Sequence, residues 1–440
     1  MNKFMFVFFP SIFFLDYLAH RLNLISRYAT WIPELLSIAM ILVVVIRLSN
    51  QRKAKIPTKY KVVLVLLVIN VLMGLVMNSV GEGPIIAGLR SHVKFLPFFL
   101  LPMVYDFSDK EIKSQFRVLI AFLIIQFPIA LYQRFIQFGN IRTGDEVRGT
   151  VATSSFLSIL MYLSITILIA FYMHKKIKLK TLFPLLILLF IPTAINGTKA
   201  SFFLLPLAVF IPVFLYSNKG RLKYLVVMGL ISLIAFPVFI ALSDKFQSRD
   251  YDKGLMDFMT REGRMENYLY KGVSLDDHKF KHLGRVDSYI LAAMSAAQDP
   301  WRLVFGVGIG NTQNSFISGL SGEYGEVAAR YGGRSNTVAY LIWELGFLGL
   351  SIYSILLYLI YKDSAKLRKR DEFAAVLALG WCSVCILMVV GFFYKNIFLD
   401  NTISYLFWYF SGYIVAKEYR CALAEKRRRF IGGGVMPTAR

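Results

Sequence analysis

The chain of 440 residues is 56% hydrophobic, with 38 Phe and 24 Tyr, and carries a formal net charge of +23. Gathered in blocks of about 20 residues, that apolar content excludes a soluble globular protein and indicates a polytopic all-α membrane protein. The Lys and Arg fall mostly in short links between apolar blocks, as in cytoplasmic loops, so the positive charge calls for no nucleic-acid partner.

In chain order the apolar runs cover residues 4–18, 29–48, 62–80, 85–104, 118–135 and 151–173. They continue at 181–195, 201–216, 224–242, 337–361, 373–393 and 397–416, which makes twelve expected crossings. The first run follows Lys3 and lacks a small-residue cleavage site, so it reads as a retained span rather than a signal peptide. Basic links occur at 52–61, 110–117, 174–180, 219–223 and 362–370. With this count they all fall on one side, together with the tail that carries Lys417, Arg420 and residues 426–429. Both termini are therefore expected in the cytoplasm. The division that follows is 1–242 for spans one to nine, 243–335 for a large outer-face loop with short helices, 336–416 for the last three spans and 417–440 for a basic cytoplasmic tail. Cys382, Cys385 and Cys421 suggest neither a disulfide framework nor a thiolate metal site.

Charge on the outer side or at membrane depth is more informative, because a cation there is costly. Arg90, His92 and Lys94 lie in GLRSHVKFLPFFLL, Arg142 and Arg148 in IRTGDEVRGT, Lys199 in NGTKAS and Arg285 in GRVDSYILAAM. Each alone could snorkel or pair with Asp145, Glu146 or Asp287. Several facing one compartment point instead to a shared anionic substrate, since the Arg fork matches phosphate oxygens. Within the long segment, 244–282 reads as polar surface loop, and 286–299 as a helix along the membrane surface with Ile290, Leu291 and Met294 at helical spacing and Pro300 as its stop. Gly306, Gly308 and Gly310 in VFGVGIGN suggest a backbone turn near the site rather than a nucleotide loop.

Four stretches in order, RGTVATSSFLSIL, NGTKASFFLLPLAV, GRVDSYILAAMSAAQDPWRLVFGVGIGN and RSNTVAYLIWELGFLGL, resemble the O-antigen polymerase and ligase superfamily of bacterial envelopes, the Wzy and WaaL type. The resemblance covers about residues 148–350 and extends to the first half only by layout. It implies a bacterial inner membrane, a GT-C-like arrangement of about a dozen helices and a large outer loop, periplasmic, above a cavity. It also implies transfer of a glycan from undecaprenyl diphosphate to a hydroxyl, with no cofactor, metal or nucleotide sugar. The implied partners are lipid-linked donor and acceptor, membrane lipid, a chain-length regulator and a flippase. Arg148 and Arg285 occupy the family's arginine positions, and Lys199 stands where an arginine is usual, keeping the charge but not the bidentate fork. Ser335 precedes Asn336 where ligases carry a His-Asn pair, which tilts the resemblance toward a polymerase that joins repeat units. The alternatives are a ligase that delivers polymer to lipid A-core, and a polytopic transporter, for which an internal repeat would be expected.

The chemistry suits fixed cations: charge developing on the leaving diphosphate can be stabilised by Arg and Lys without a metal. Arg90, Arg148, Lys199 and Arg285 are the candidates for that cradle, with His92, Arg142, Arg334 and Asn336 as further substrate-binding candidates. Glu323 is the candidate base, chosen from Glu323, Glu326, Asp287, His278 and His282. His278 and His282 lack a third ligand of matching spacing, and Glu344 in WELG is expected to pair or cap within the bundle. Tyr268, Tyr270, Trp301, Tyr324 and Tyr331 could stack on sugar rings or anchor at the interface.

Overall fold

A computed structural model of the chain describes residues 1–50, 56–139, 144–216, 221–246, 254–271, 284–315, 317–330, 333–370 and 373–432. The first half runs through α1 (Asn2–His20), α2 (Ile32–Asn50), α3 (Thr58–Met77), α4 (Glu82–His92), α5 (Leu96–Val104), α6 (Asp109–Tyr132) and α7 (Ser154–Met173). It continues with α8 (Leu179–Ile195), α9 (Ser201–Leu215) and α10 (Arg221–Phe246). Short helices α11 (Gly254–Thr260), α12 (Arg264–Glu266), α13 (Arg285–Ala296), α14 (Pro300–Phe305) and α15 (Gly325–Arg330) occupy the polar segment. The chain closes with α16 (Thr337–Leu367), α17 (Phe373–Tyr394) and α18 (Asn401–Gly432). The described residues contain no strand.

Each of the twelve apolar runs is helical. Among the described residues eight helices are long and apolar enough to cross a membrane, and nine if α4 and α5, bent by 49° at their junction, count as one broken span. Helices α8 and α9 are shorter, at 17 and 15 residues. The chain is a multi-pass membrane protein, with α7, α16 and α17 at its buried centre.

The ends of the helices sort into two faces. At one, Lys59 and Tyr60 at the start of α3 both bond to the buried Asp363 near the end of α16. Lys417 on α18 meets Asp109 at the start of α6 at 3.0 Å, and Arg370 after α16 meets Glu418 at 3.6 Å. Tyr224 at the start of α10 reaches the Met173 carbonyl at the end of α7. The described residues of the basic links thus gather at a single end of the bundle. The opposite end holds the α6–α7 and α8–α9 turns, α13 and the start of α16.

Helix α16 is interrupted at Gly346, whose φ is 67° and ψ −171°. The break frees two carbonyls of the preceding turn. Trp343 O accepts from Val307 N at 2.7 Å, and Leu345 O accepts from the Asn70 side chain of α3 at 3.1 Å. VFGVGIGN is therefore a turn wedged among α3, α4 and α16, with Gly306, Gly308 and Gly310 at positive φ. A Cβ on Gly346 would lie 2.3 Å from Val304 O. Gly346→Ala, strained in both backbone and contact, is expected to cost about 1–3 kcal/mol. Gly229→Ala on α10, with nothing within 4 Å of the new Cβ, is the control. Detergent-solubilised thermal denaturation should shift for the first variant only.

One local expectation, the role of Pro300, needs correction, and α13 shows which of its faces packs inward. On α13 the face against α16 is the small one, Ser288, Ala292 and Ala296, while Ile290 and Met294 are exposed. Small side chains allow close helix approach, so the large apolar residues are displaced outward. Pro300 does not merely end α13: Asp299 caps the Trp301 amide, and Pro300 opens α14 at the first-turn position where no donor is needed.

Candidate anion-binding site

Arg148 is presented by a loop clamped from α6. Gln133 accepts from the Arg148 and Gly149 amides at 3.0 and 2.8 Å and donates to Gly149 O at 2.7 Å. Two turns earlier Gln126 accepts from the Thr150 amide at 2.8 Å and donates to its hydroxyl. Both glutamines are fully buried, so an apolar helix carries them for the backbone they satisfy. Gly149 has φ 59°, and a Cβ there would lie 2.4 Å from Gln126 Oε1. The Arg148 guanidinium bonds Glu146 at 3.0 Å and the Asp145 and Ala152 carbonyls, and Glu146 also pairs with Arg21. Gln133→Leu would strand two amides and a carbonyl, at about 1–3 kcal/mol for each buried group left unpaired. It should lower the denaturation midpoint more than Gln137→Leu, whose site lies past the clamp on the π-helical turn.

Lys199 is set by a second turn. Buried Asn196 donates to Ser154 O at 2.9 Å and Ser158 Oγ at 2.8 Å, and accepts from the Thr198 amide at 3.1 Å, which locks the NGTK turn onto α7. The Lys199 ammonium lies 5.0 Å from the Phe258 ring and 5.6 Å from the Tyr268 ring. Arg285, in the first turn of α13, packs against the same Tyr268 at 5.8 Å and against Tyr394 at 5.4 Å, with Ser335 O at 3.5 Å. Among the described residues Arg285 meets no carboxylate.

Lys395, at the end of α17, completes the group. It is half-buried, lies over the Phe156 ring at 5.7 Å and is within electrostatic reach of Arg285, Asp145 and Arg148. Burial, then the Arg285 charge, lowers its pKa to about 8, with Asp145 opposing and Arg148 adding. Its neighbour Asn396 is fully buried, and neither side-chain polar atom has a hydrogen-bond partner. Thr198 beside Lys199 likewise has a buried hydroxyl without a partner. Unpaired polar atoms at such depth are costly, and with the neighbouring cations they make this end of the bundle a candidate site for an anion.

The other candidate residues lie elsewhere. Arg90 pairs with Glu34 at 2.6 Å and stacks on Trp31 at 4.9 Å, so its charge is neutralised away from the cluster. His92 is closed to substrate: Nε2 meets Glu344 Oε2 at 2.7 Å, with side-chain exposures of 1% and 0%, and the ring stacks on Tyr340 at 5.0 Å. Glu344 also accepts from Gly310 N at 3.0 Å and from Thr312 Oγ1, so it pairs within the bundle as its position implied. Arg334 packs 5.7 Å from the same Tyr340. Asn336 is buried, caps α16 through the Ala339 amide and donates to Ser288 of α13, a positioning role beside Arg285. Glu323 is exposed, and its amide bonds Asn311 on the glycine turn, apart from the cations. Arg142, His278, His282 and Tyr331 lie outside the described residues.

The structure thus brings Arg148, Lys199 and Arg285 to one end of the bundle and adds Lys395, Asn396, Gln126, Gln133 and Asn196. The two glutamines were visible as polar residues seven apart in an apolar run. Lys395 was concealed in a short link between two spans. No family model matches the chain, and no curated protein matches it.

Proposed function

We propose that the protein is a Wzy-type polymerase that joins undecaprenyl-diphosphate-linked oligosaccharide units by inverting transfer. In this reading twelve helices cross a bacterial inner membrane in a GT-C-like arrangement, the basic face is cytoplasmic and the segment 243–335 is periplasmic. The observation that carries it is the convergence of Arg148, Lys199, Arg285 and Lys395 at one end of the bundle, with the buried, unpartnered Asn396 side chain next to Lys395. The anomeric carbon of the growing chain is attacked by a hydroxyl of the next unit, and the bond to the diphosphate oxygen breaks. Arg285, held between two tyrosine rings, and Lys395 face the oxygens on which charge develops, and Arg148 and Lys199 close the cradle. The acceptor's proton needs a carboxylate, and Asp145, within reach of Lys395, suits that role better than Glu323.

Arg148→Gln is expected to abolish long-chain product with the protein still in the membrane, whereas Arg90→Gln, outside the cluster, should leave chain length near normal. Normal chains from Arg148→Gln would overturn the site.

Lys395 gives the site a pH dependence. An anion favours the protonated amine, so donor affinity should be flat below the free-state pKa of about 8 and weaken as pH rises through it. Equilibrium binding of the undecaprenyl-diphosphate-linked repeat unit between pH 6.5 and 9.5, whose diphosphate keeps its charge over this range, reads this, and Lys395→Arg should flatten the profile. A profile that strengthens above pH 8, or the same slope in Lys395→Arg, would remove Lys395 from the site.

A further inference from the structure

We propose that a crevice between α6, α7, α8, α17 and α18 holds the tail of an anionic phospholipid whose phosphate is bound by Lys113, Arg117 and Lys176. The cavity measures about 530 Å³, within the range of about 300–1,000 Å³ typical of ligand pockets. Its wall is apolar, with Phe116, Leu123, Leu163, Ile167, Leu406 and Phe410 among its residues. The charged residues that line it are these three cations, all at the basic face of the bundle.

Three observations select the occupant. Lys113 and Arg117 stand one helical turn apart on α6, and Lys176 follows α7, so two elements converge on one rim. All three are exposed, and among the described residues none has a carboxylate partner. Several cations at the same end do: Lys59 with Asp363, Lys417 with Asp109, Arg370 with Glu418 and Arg420 with Asp106. The third observation is depth. The lining residues of α6 run from Lys113 to Ile124 and those of α7 from Phe171 back to Leu160, a rise of about 16 Å on each helix. That is roughly half the 30 Å hydrocarbon core, the reach of one leaflet. A glycan donor would place its diphosphate with Arg285 at the opposite end of the bundle, so the charged rim has the wrong position for it. The inference concerns a different ligand from that of the anion site and does not depend on polymerase activity.

The test is lipid binding by native mass spectrometry of the detergent-purified full chain, titrated with phosphatidylglycerol or phosphatidylcholine. The wild type should retain phosphatidylglycerol preferentially. The Lys113→Gln/Arg117→Gln/Lys176→Gln variant, altered only at exposed positions, should bind it about tenfold or more weakly and lose the preference. Ser164→Leu, which adds bulk inside the crevice while leaving the rim charged, should weaken both lipids. Equal binding of the two lipids by the wild type, or a preference that survives the triple substitution, would overturn the proposal. Undecaprenyl phosphate that displaces phosphatidylglycerol without being displaced in return would also overturn it, by assigning the crevice to the donor's chain.

Discussion

Arg285→Ala is expected to lower polymer formation by about 100-fold or more, the scale seen when a preorganised charge-stabilising donor is removed. The argument rests on how this side chain is held. Its guanidinium is packed between Tyr268 and Tyr394, and among the described residues no carboxylate neutralises it. The two rings fix the plane of the fork before substrate arrives, so little reorganisation is needed as charge builds on the diphosphate. Arg285→Lys keeps the charge but loses the fork and the ring packing, and should recover only part of the activity. The cost to folding should be small, since the one carbonyl contact, to Ser335, is long at 3.5 Å. Product ladders at equal membrane protein level read the effect. Wild-type ladders from Arg285→Ala would mean that the residue has no part in transfer.

Glu344→Ala carries the largest expected loss of stability. Its carboxylate satisfies His92, Gly310 N and Thr312 Oγ1 in a position with no solvent access. Removing one partner of such a group typically costs about 3–5 kcal/mol, because the partners remain buried without bonds. The effect is structural at a distance from the cations: Gly310 N is one of the ties that dock the glycine turn on α4 and α16. Glu344→Gln keeps an acceptor for Gly310 N and should fall between the two. Denaturation midpoints of purified protein check the order, and a Glu344→Ala midpoint equal to that of the wild type would contradict it.

How the sequence exposed some of this and concealed the rest follows from range. Length and apolarity are local properties, so each of the twelve runs could be located, and α6 carries a full capping box from Ser108 and Glu111 at its start. Arg148, Lys199 and Arg285 stood out because charge flanked by apolar sequence is costly wherever the chain folds. The same signal misplaced Arg90 and His92. Their counter-charges, Glu34 and Glu344, come from other helices, and His92 and Glu344 are 252 positions apart. No local pattern announces such a pair. On α13 the periodicity of Ile290, Leu291 and Met294 gave the helix but not its packed face: the stripe of Ser288, Ala292 and Ala296 is what α16 can approach closely. The break at Gly346 was hidden because glycine inside an apolar helix usually marks close packing, and only the turn docked against it shows the positive φ.

The most direct test of the account is reconstitution. The purified protein in nanodiscs is incubated with an undecaprenyl-diphosphate-linked repeat unit, without nucleotide, and the products are separated on a gel. A ladder of repeat units, lost in Arg148→Gln and Arg285→Ala, is the predicted result. Transfer seen only after lipid A-core is added would make the protein a ligase, and the absence of any transfer from the native repeat unit would contradict the assignment as a glycosyltransferase.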